Sequence, residues 1–209
     1  MKNPATLSLS LRKRGISLIE AVLYLVIALA VIVGGIVFFQ QAQLSNQITD
    51  TARMSTGVSS QVRGLFQSQR SFGDDDLTAA MVKSGAVPSN FISETSTLFG
   101  TRTDVVHPFG GTVEVHGYDT YFEIQFNDLP PAACLRLMTV GPDGSGSIGT
   151  GITGLSVANP ANIFAQAAPI TAADLSGACG ETNNVNVQFS RGGGGEYNMP
   201  SNTGPQTPP

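Results

Sequence analysis

Residues 12–39 read RKRGISLIEAVLYLVIALAVIVGGIVFF, and this stretch decides the class of the protein. Basic residues are followed at once by apolar ones, and the nineteen residues from Ala21 to Phe39 carry no charge. A run of this length is enough for a helix to cross the apolar core of a bilayer. Because the cations precede the run, the positive-inside tendency keeps the amino end in the cytoplasm and sends the rest outward.

Two ordinary kinds of membrane segment compete for this pattern. A secretory signal peptide has an apolar region of about 7–15 residues, shorter than this run. Its small-x-small cleavage pattern would be Ala28-Leu29-Ala30, which lies inside the run and not after it. An uncleaved signal anchor is therefore the stronger of the two interpretations, but it does not explain Glu20.

Glu20 is an acidic residue at the edge of the apolar run. A carboxylate inside a membrane helix costs about 2.5–3.5 kcal/mol on insertion scales, so such a residue is expected to have a partner. A partner arises if the chain is cut after Gly15. The new α-amino group of Ile16 is then a cation one helical turn away, able to pair with Glu20 of the same or a neighbouring chain.

The whole string resembles the processing site of type IV prepilins. Its basic residues end in Gly15, Ile16 follows as an apolar first residue, and Glu20 stands at the fifth position after the cut. The resemblance implies that prepilin peptidase removes residues 1–15 at the cytoplasmic face and that Ile16 is N-methylated. It also implies an inner-membrane precursor, a pilus assembly platform, and a role for Glu20 in assembly.

A long helix is predicted over residues 16–70, with residues 16–39 in the membrane or in a filament core. Beyond residue 39 no Pro occurs before residue 70, and apolar residues recur at helical spacing with a break near Ser55. They are Leu44, Ile48, Ala52, Val58, Val62, Leu65 and Phe66. Gly34 and Gly35 interrupt the apolar run, and Gly is about 1 kcal/mol worse than Ala in a helix. By resemblance to pilins in filaments, we expect this pair to be a point of helix unwinding.

The remainder, residues 71–191, is predicted to be an α+β head. Alternating apolar residues predict strands over residues 112–116, 121–126 and 185–189. Short helices are predicted over residues 77–83, after the three acids Asp74 to Asp76, and from Pro130 and Thr171, the last with Gly177 as its stop. The long helix laid on an antiparallel sheet is the pilin roll that the resemblance also implies.

Cys134 and Cys179 are the two cysteines. In a chain exported to an oxidising compartment they predict a disulfide. In type IV pilins such a bond delimits the D-region, a variable surface that contacts neighbouring subunits, so the resemblance implies a D-region over residues 134–179. The wide cysteine spacing, Ile16 at the first mature position and the long leader resemble subclass IVb. Within that subclass, the block from Ile124 to Pro130 that leads to Cys134 resembles bundle-forming and plasmid thin-pilus pilins.

Composition excludes several functions. A net charge of −4 with only 12% charged residues argues against a broad surface for nucleic acid. The Gly-rich residues 141–146 lack the Gly-Lys-Ser/Thr of a phosphate loop, and we interpret them as flexible. Two cysteines and two histidines suit no zinc spacing, so neither metal, cofactor nor enzymatic activity is predicted. Residues 192–209, rich in Gly and Pro, are predicted to be a flexible tail.

The resulting hypothesis is a structural subunit, a major pilin that polymerises with its own copies into an extracellular filament. Such a filament would serve adhesion, aggregation or conjugative contact with a host or recipient cell. A minor pilin, a type II secretion pseudopilin and, with less support, a tip adhesin share the same N-terminal features. A monomeric signal-anchored enzyme is the alternative from a different class.

Overall fold

The computed structural model describes residues 17–97 and 100–191, which form four α-helices and seven strands. The helices are α1 Leu18–Leu65, α2 Thr78–Lys83, α3 Pro131–Leu137 and α4 Ala172–Ala178. The strands are β1 Ile92–Thr97, β2 Gly100–Val106, β3 Thr112–Gly117, β4 Tyr121–Leu129, β5 Ile152–Asn159, β6 Asn162–Ala167 and β7 Asn183–Ser190. The chain divides into two compact units between Leu44 and Ser45, so α1 contributes to both.

The second unit is built on one antiparallel sheet with strand order β1-β2-β3-β4-β7-β5-β6. The predicted hairpin is confirmed as β3 and β4, with Val115 opposite Ile124. Phe122, Ile124 and Phe126 alternate along β4 and are completely buried, because every second side chain points to the same face of a strand. The predicted strand near the end of the head is β7, which pairs with β4.

The carboxyl-terminal part of α1 covers this apolar face. Met54, Val58 and Val62 belong to the same buried cluster as the aromatic residues of β4. Ser55 interrupts the apolar pattern of the sequence, but the helix is still packed against the head at this position. Ser55 is buried, and its hydroxyl donates to the Ile148 carbonyl at 3.0 Å. Small hydroxyl side chains therefore let the helix lie close to the head without leaving a buried polar group unpaired.

The long helix ends at Leu65, five residues before the predicted end at residue 70. After Gly64 the α-helical hydrogen bonding gives way to a tighter turn, in which the Gln67 amide donates to the Gly64 carbonyl three residues earlier. Leu65, predicted to lie on the apolar face, is exposed, whereas Phe66 packs against the core.

The short helices follow their predicted starts. Pro131 opens α3. Thr171 caps α4 in a reciprocal capping box with Asp174, but Gly177 lies inside this helix and does not stop it. Of the three acids before α2, Asp76 accepts a hydrogen bond from the Thr78 amide at 2.8 Å, although the N-cap residue of this helix is Leu77.

The Gly-rich residues 141–146 are held by backbone hydrogen bonds, contrary to the prediction of a flexible loop. The Gly141 amide donates to the Ser145 carbonyl at 2.8 Å, and the Ile152 amide donates to the Gly144 carbonyl at 2.9 Å. Gly144 has a φ of +72°, a conformation that a residue with a Cβ rarely adopts. The glycines here shape a defined turn that leads into β5.

Gly111→Ala is expected to destabilise the head by about 2–3 kcal/mol, because overpacking forces backbone and side chains apart. A Cβ at Gly111 would lie 1.9 Å from the Asn127 carbonyl oxygen and 2.6 Å from His107 Nε2. The matched control is Gly177→Ala, where a Cβ meets nothing within 4 Å and helix propensity favours Ala. Chemical unfolding of the detergent-solubilised chain measures both variants, and equal stability for the two would contradict this packing account.

Candidate assembly site

The first unit presents an apolar helix that no other described residue of the chain covers. Every side chain from Ser17 to Gln43 is exposed, including Phe38 at 75%. This helix is long and apolar enough to cross a membrane. Exposed apolar surface is unfavourable in water by about 25 cal/mol per Å², so the segment needs lipid or other apolar helices around it.

Glu20 lies in the first turn of α1 and is exposed. A carboxylate is favourable there because it faces the positive end of the helix dipole. The proposed processing residues Gly15 and Ile16 lie outside the described residues, as do the leader, residues 1–15, and the tail, residues 192–209. The pairing of Glu20 with the Ile16 amine therefore stays a prediction.

Gly34 and Gly35 are helical, and α1 is continuous through both. A Cβ added at either position would meet nothing within 4 Å, so no close contact inside this chain requires glycine there. Unwinding at this pair would belong to the assembled state, and it also stays a prediction.

The two cysteines form the disulfide that was predicted. Cys134 in α3 and Cys179 at the end of α4 are bonded, with their Cα atoms 6.0 Å apart. Cys134 is completely buried in the main core. The bond thus joins α3 to the end of α4 and closes the segment of residues 134–179.

The segment between the cysteines is part of the main sheet. It contains β5 and β6, two strands that the sequence analysis missed, and β5 pairs with β7 from outside the segment. Asn159, at the end of β5, donates to the Ala178 carbonyl of α4 at 2.6 Å. At the far edge, β6 leaves Ile163 53% exposed. The disulfide-bounded region therefore consists largely of paired strands and short helices.

Arg63 connects α1 to this region and was not singled out from the sequence. Its guanidinium donates to the carbonyls of Thr150 and Ser190 and lies 5.7 Å from the ring centroids of Phe122 and Phe189. Burial lowers the pKa of Arg63. A long-range partner such as Thr150 has no local sequence pattern that could have indicated it.

Two further buried ionisable groups are His107, in the turn that follows β2, and Glu123, on β4. His107 accepts a hydrogen bond from the Phe109 amide at Nδ1 and donates from Nε2 to the Asn127 carbonyl, a geometry that fits the neutral ring, and burial lowers its pKa. Glu123 on β4 lies between His116 on β3 and Gln188 on β7 and is 8% exposed. Burial raises the pKa of Glu123 to about 7, partly offset by His116.

Glu123→Gln is expected to make the head more stable at pH 8 by about 1–3 kcal/mol, with little change near pH 4. The pKa of the wild-type carboxyl is higher in the folded than in the unfolded chain, so its contribution to stability falls as the pH rises between about 4.5 and 7. The Gln side chain does not ionise, so the variant does not lose stability in this way as the pH rises. The variant retains His116, Tyr118 and Tyr121, but it removes the Glu123 charge that contributes to raising the pKa of both tyrosines.

Unfolding measured from pH 4 to pH 8 checks this expectation. Glu94→Gln, the same substitution at an exposed position on β1, is the control and is expected to follow the wild-type profile. A Glu123→Gln profile parallel to the wild type would contradict the proposed effect of burial.

The comparison that decides the family is with models of protein families. The model described as Bundlin matches residues 40–191, which is most of the chain. The chain belongs to the bundlin family. The head, with both cysteines, and the carboxyl-terminal half of α1 lie within the match, which confirms the type IVb pilin resemblance.

Two curated relatives of this bundlin-family chain are named "Major structural subunit of bundle-forming pilus". The one from Escherichia coli O127:H6 (strain E2348/69 / EPEC) is 28% identical over 184 residues and the one from Escherichia coli O111:H- is 27% identical over 189 residues. Each alignment covers 83% of this chain and 91% of the relative.

Among solved structures, the crystal structure of type IV b pilin from Salmonella typhi matches with a TM-score of 0.51 and 18% identity. The match covers 67% of this chain and 97% of that one. It confirms the α+β pilin fold of a long N-terminal helix with an antiparallel sheet.

Proposed function

We propose that the chain is the major subunit of a type IVb pilus and polymerises through the amino-terminal half of α1. The observation that carries the proposal is the apolar, fully exposed helix of a bundlin-family chain. Outside the membrane, contact with the same helix of other copies is what removes such a surface from water. The relatives named as major structural subunits support the same role.

Processing precedes assembly in this proposal. Prepilin peptidase removes residues 1–15 from a precursor held in the inner membrane by residues 16–39, and Ile16 becomes the N-methylated first residue. Removal of the leader's four cations takes the side-chain charge from −4 to −8. An assembly platform then draws the helix out of the membrane, with unwinding at Gly34 and Gly35.

The register between subunits is assigned to Glu20 and the Ile16 amine. Both ions leave water when the helix enters lipid or a filament core, and there an unpaired charge is costly whereas a pair is far less so. A subunit that enters one step out of register leaves both charges unpaired. No catalytic role is assigned, and membership in a family of structural subunits supports that view.

Sheared surface fibres test the proposal. The chain is expected to dominate this fraction, and mass spectrometry is expected to find methylated Ile16 as its first residue. A minor pilin or a pseudopilin would be a trace component of the fibres. An N-terminus other than Ile16 would exclude the processing step.

A further inference from the structure

A groove opens at the carboxyl end of α1, where the helix meets the end of β7. It has a volume of about 340 Å³ and is lined by Arg63, Gly64, Phe66, Gln67, Phe72 and Arg191. We call it the arginine groove. Two guanidinium groups and two aromatic rings line it, and no acidic residue does.

Each guanidinium is held in place by neutral groups. Arg63 donates to two carbonyls and lies over two rings, as described above. Arg191 donates to the Phe66 carbonyl at 3.4 Å and lies 5.0 Å from the centroid of the Phe72 ring. Carbonyls and ring faces orient these cations, but they do not neutralise them.

Two other arginines of the head have carboxylate partners, whereas Arg70 and Arg136, like the two arginines of the groove, have no ion pair among the described residues. Arg53 pairs with Asp50, and Arg102 pairs with Asp104 at 2.7 Å. Among the part of the chain that the structure describes, no ion pair joins Arg63 or Arg191 to an acid. An incoming carboxylate would therefore meet two oriented cations that no acid among residues 17–97 and 100–191 compensates, and the burial that lowers the pKa of Arg63 makes that charge pairing more favourable.

We propose that the arginine groove binds an aspartate or glutamate side chain of a second copy of this chain. The inference rests on the proposed function, in which copies with a side-chain charge of −8 are packed side by side. A cationic groove cannot be complementary to itself. The contact is therefore heterologous, joining two different surfaces of identical subunits, and this type of contact generates an open helical filament when the rotation does not close.

Photocrosslinking in assembled pili tests the groove directly. Gln67 is exposed at its rim and can be replaced by p-benzoylphenylalanine in the full-length chain. Illumination of sheared pili is expected to give dimers and higher multimers, with a crosslinked peptide from a second copy that contains an acid. Crosslinks confined to the same chain, crosslinks to a different protein, or none at all in intact pili would each overturn the proposal.

A charge reversal supplies a second measurement. Arg191→Glu is expected to reduce sheared pili at least tenfold while the processed subunit accumulates in the membrane at the wild-type level. Lys83→Glu, a reversal at an exposed cation on α2 outside the groove, is the matched control and is expected to assemble normally. Normal piliation of Arg191→Glu would count against the groove as an acidic-residue site.

The crosslinking result stands on its own if Arg191→Glu lowers the amount of folded subunit. The failure of this inference is also distinct from failure of the proposed function. If wild-type fibres contain the chain but Gln67 gives no crosslink to a second copy, the filament role is retained and only the groove assignment is lost. If wild-type fibres lack the chain, the proposed function itself fails.

Discussion

Glu20→Gln is expected to leave the chain cleaved and membrane-bound but to remove pili from the sheared fraction. The substitution keeps the size of the side chain and removes the charge that pairs with the Ile16 amine. Breaking one partner of a buried ion pair costs about 3–5 kcal/mol, which corresponds to more than a hundredfold loss in each subunit contact. Electron microscopy and immunoblots of sheared and membrane fractions measure the outcome.

The matched control for Glu20→Gln is Glu94→Gln, which makes the same change at an exposed site in the head. Normal piliation is expected for this control, with both proteins cleaved after Gly15. Wild-type piliation of Glu20→Gln would disprove the assignment of register to this carboxylate. Loss of cleavage in the variant would place Glu20 in peptidase recognition instead.

Removing the disulfide by Cys134→Ala with Cys179→Ala is expected to lower the free energy of unfolding by about 4 kcal/mol in the chain-entropy model. The bond closes a loop with a sequence separation of 45 residues, and the unfolded chain without it gains the corresponding freedom. A loss of this size is a large fraction of the typical 5–15 kcal/mol of a folded domain.

Chemical unfolding of the detergent-solubilised chain measures this effect. The wild-type protein in reducing agent provides the control, because it lacks the bond but keeps both cysteines. It is expected to lose a similar amount of stability. Retention of oxidised wild-type stability by the double variant would show that β5 and β6 are held by the sheet alone.

Local patterns account for what the sequence predicted. The alternation along β4 and β7, the cap at Thr171 and the apolar run after Gly15 each depend on neighbouring residues, so each could be identified without the fold. The family followed from the processing pattern alone. The alternation of apolar residues along β3 and β4 indicated the antiparallel sheet, because this hairpin buries one of its two faces.

The missed features depend on distant residues. Strand β5 is buried on both faces over its first residues, so it lacks alternation. Gly154 inside it, with Gly149 and Gly151 just before it, resembles the glycines of a loop. Ser55 and Arg63 look like ordinary polar residues of a helix until their partners Ile148 and Thr150, far along the chain, are brought beside them. Nothing near these residues in the sequence indicates those contacts.

The position of β7 in the sheet has a consequence for biogenesis. This strand is the last of the described elements, yet it lies between β4 and β5 and joins the two parts of the sheet. During export the earlier strands must wait for it, because β5 and β6 have no other strand to connect them to β4. Translocation of the chain through Ser190 is thus a precondition for closing the head. A chain that stops before Asn183 therefore has α1 and the strands on both sides of the gap but lacks the strand that joins them.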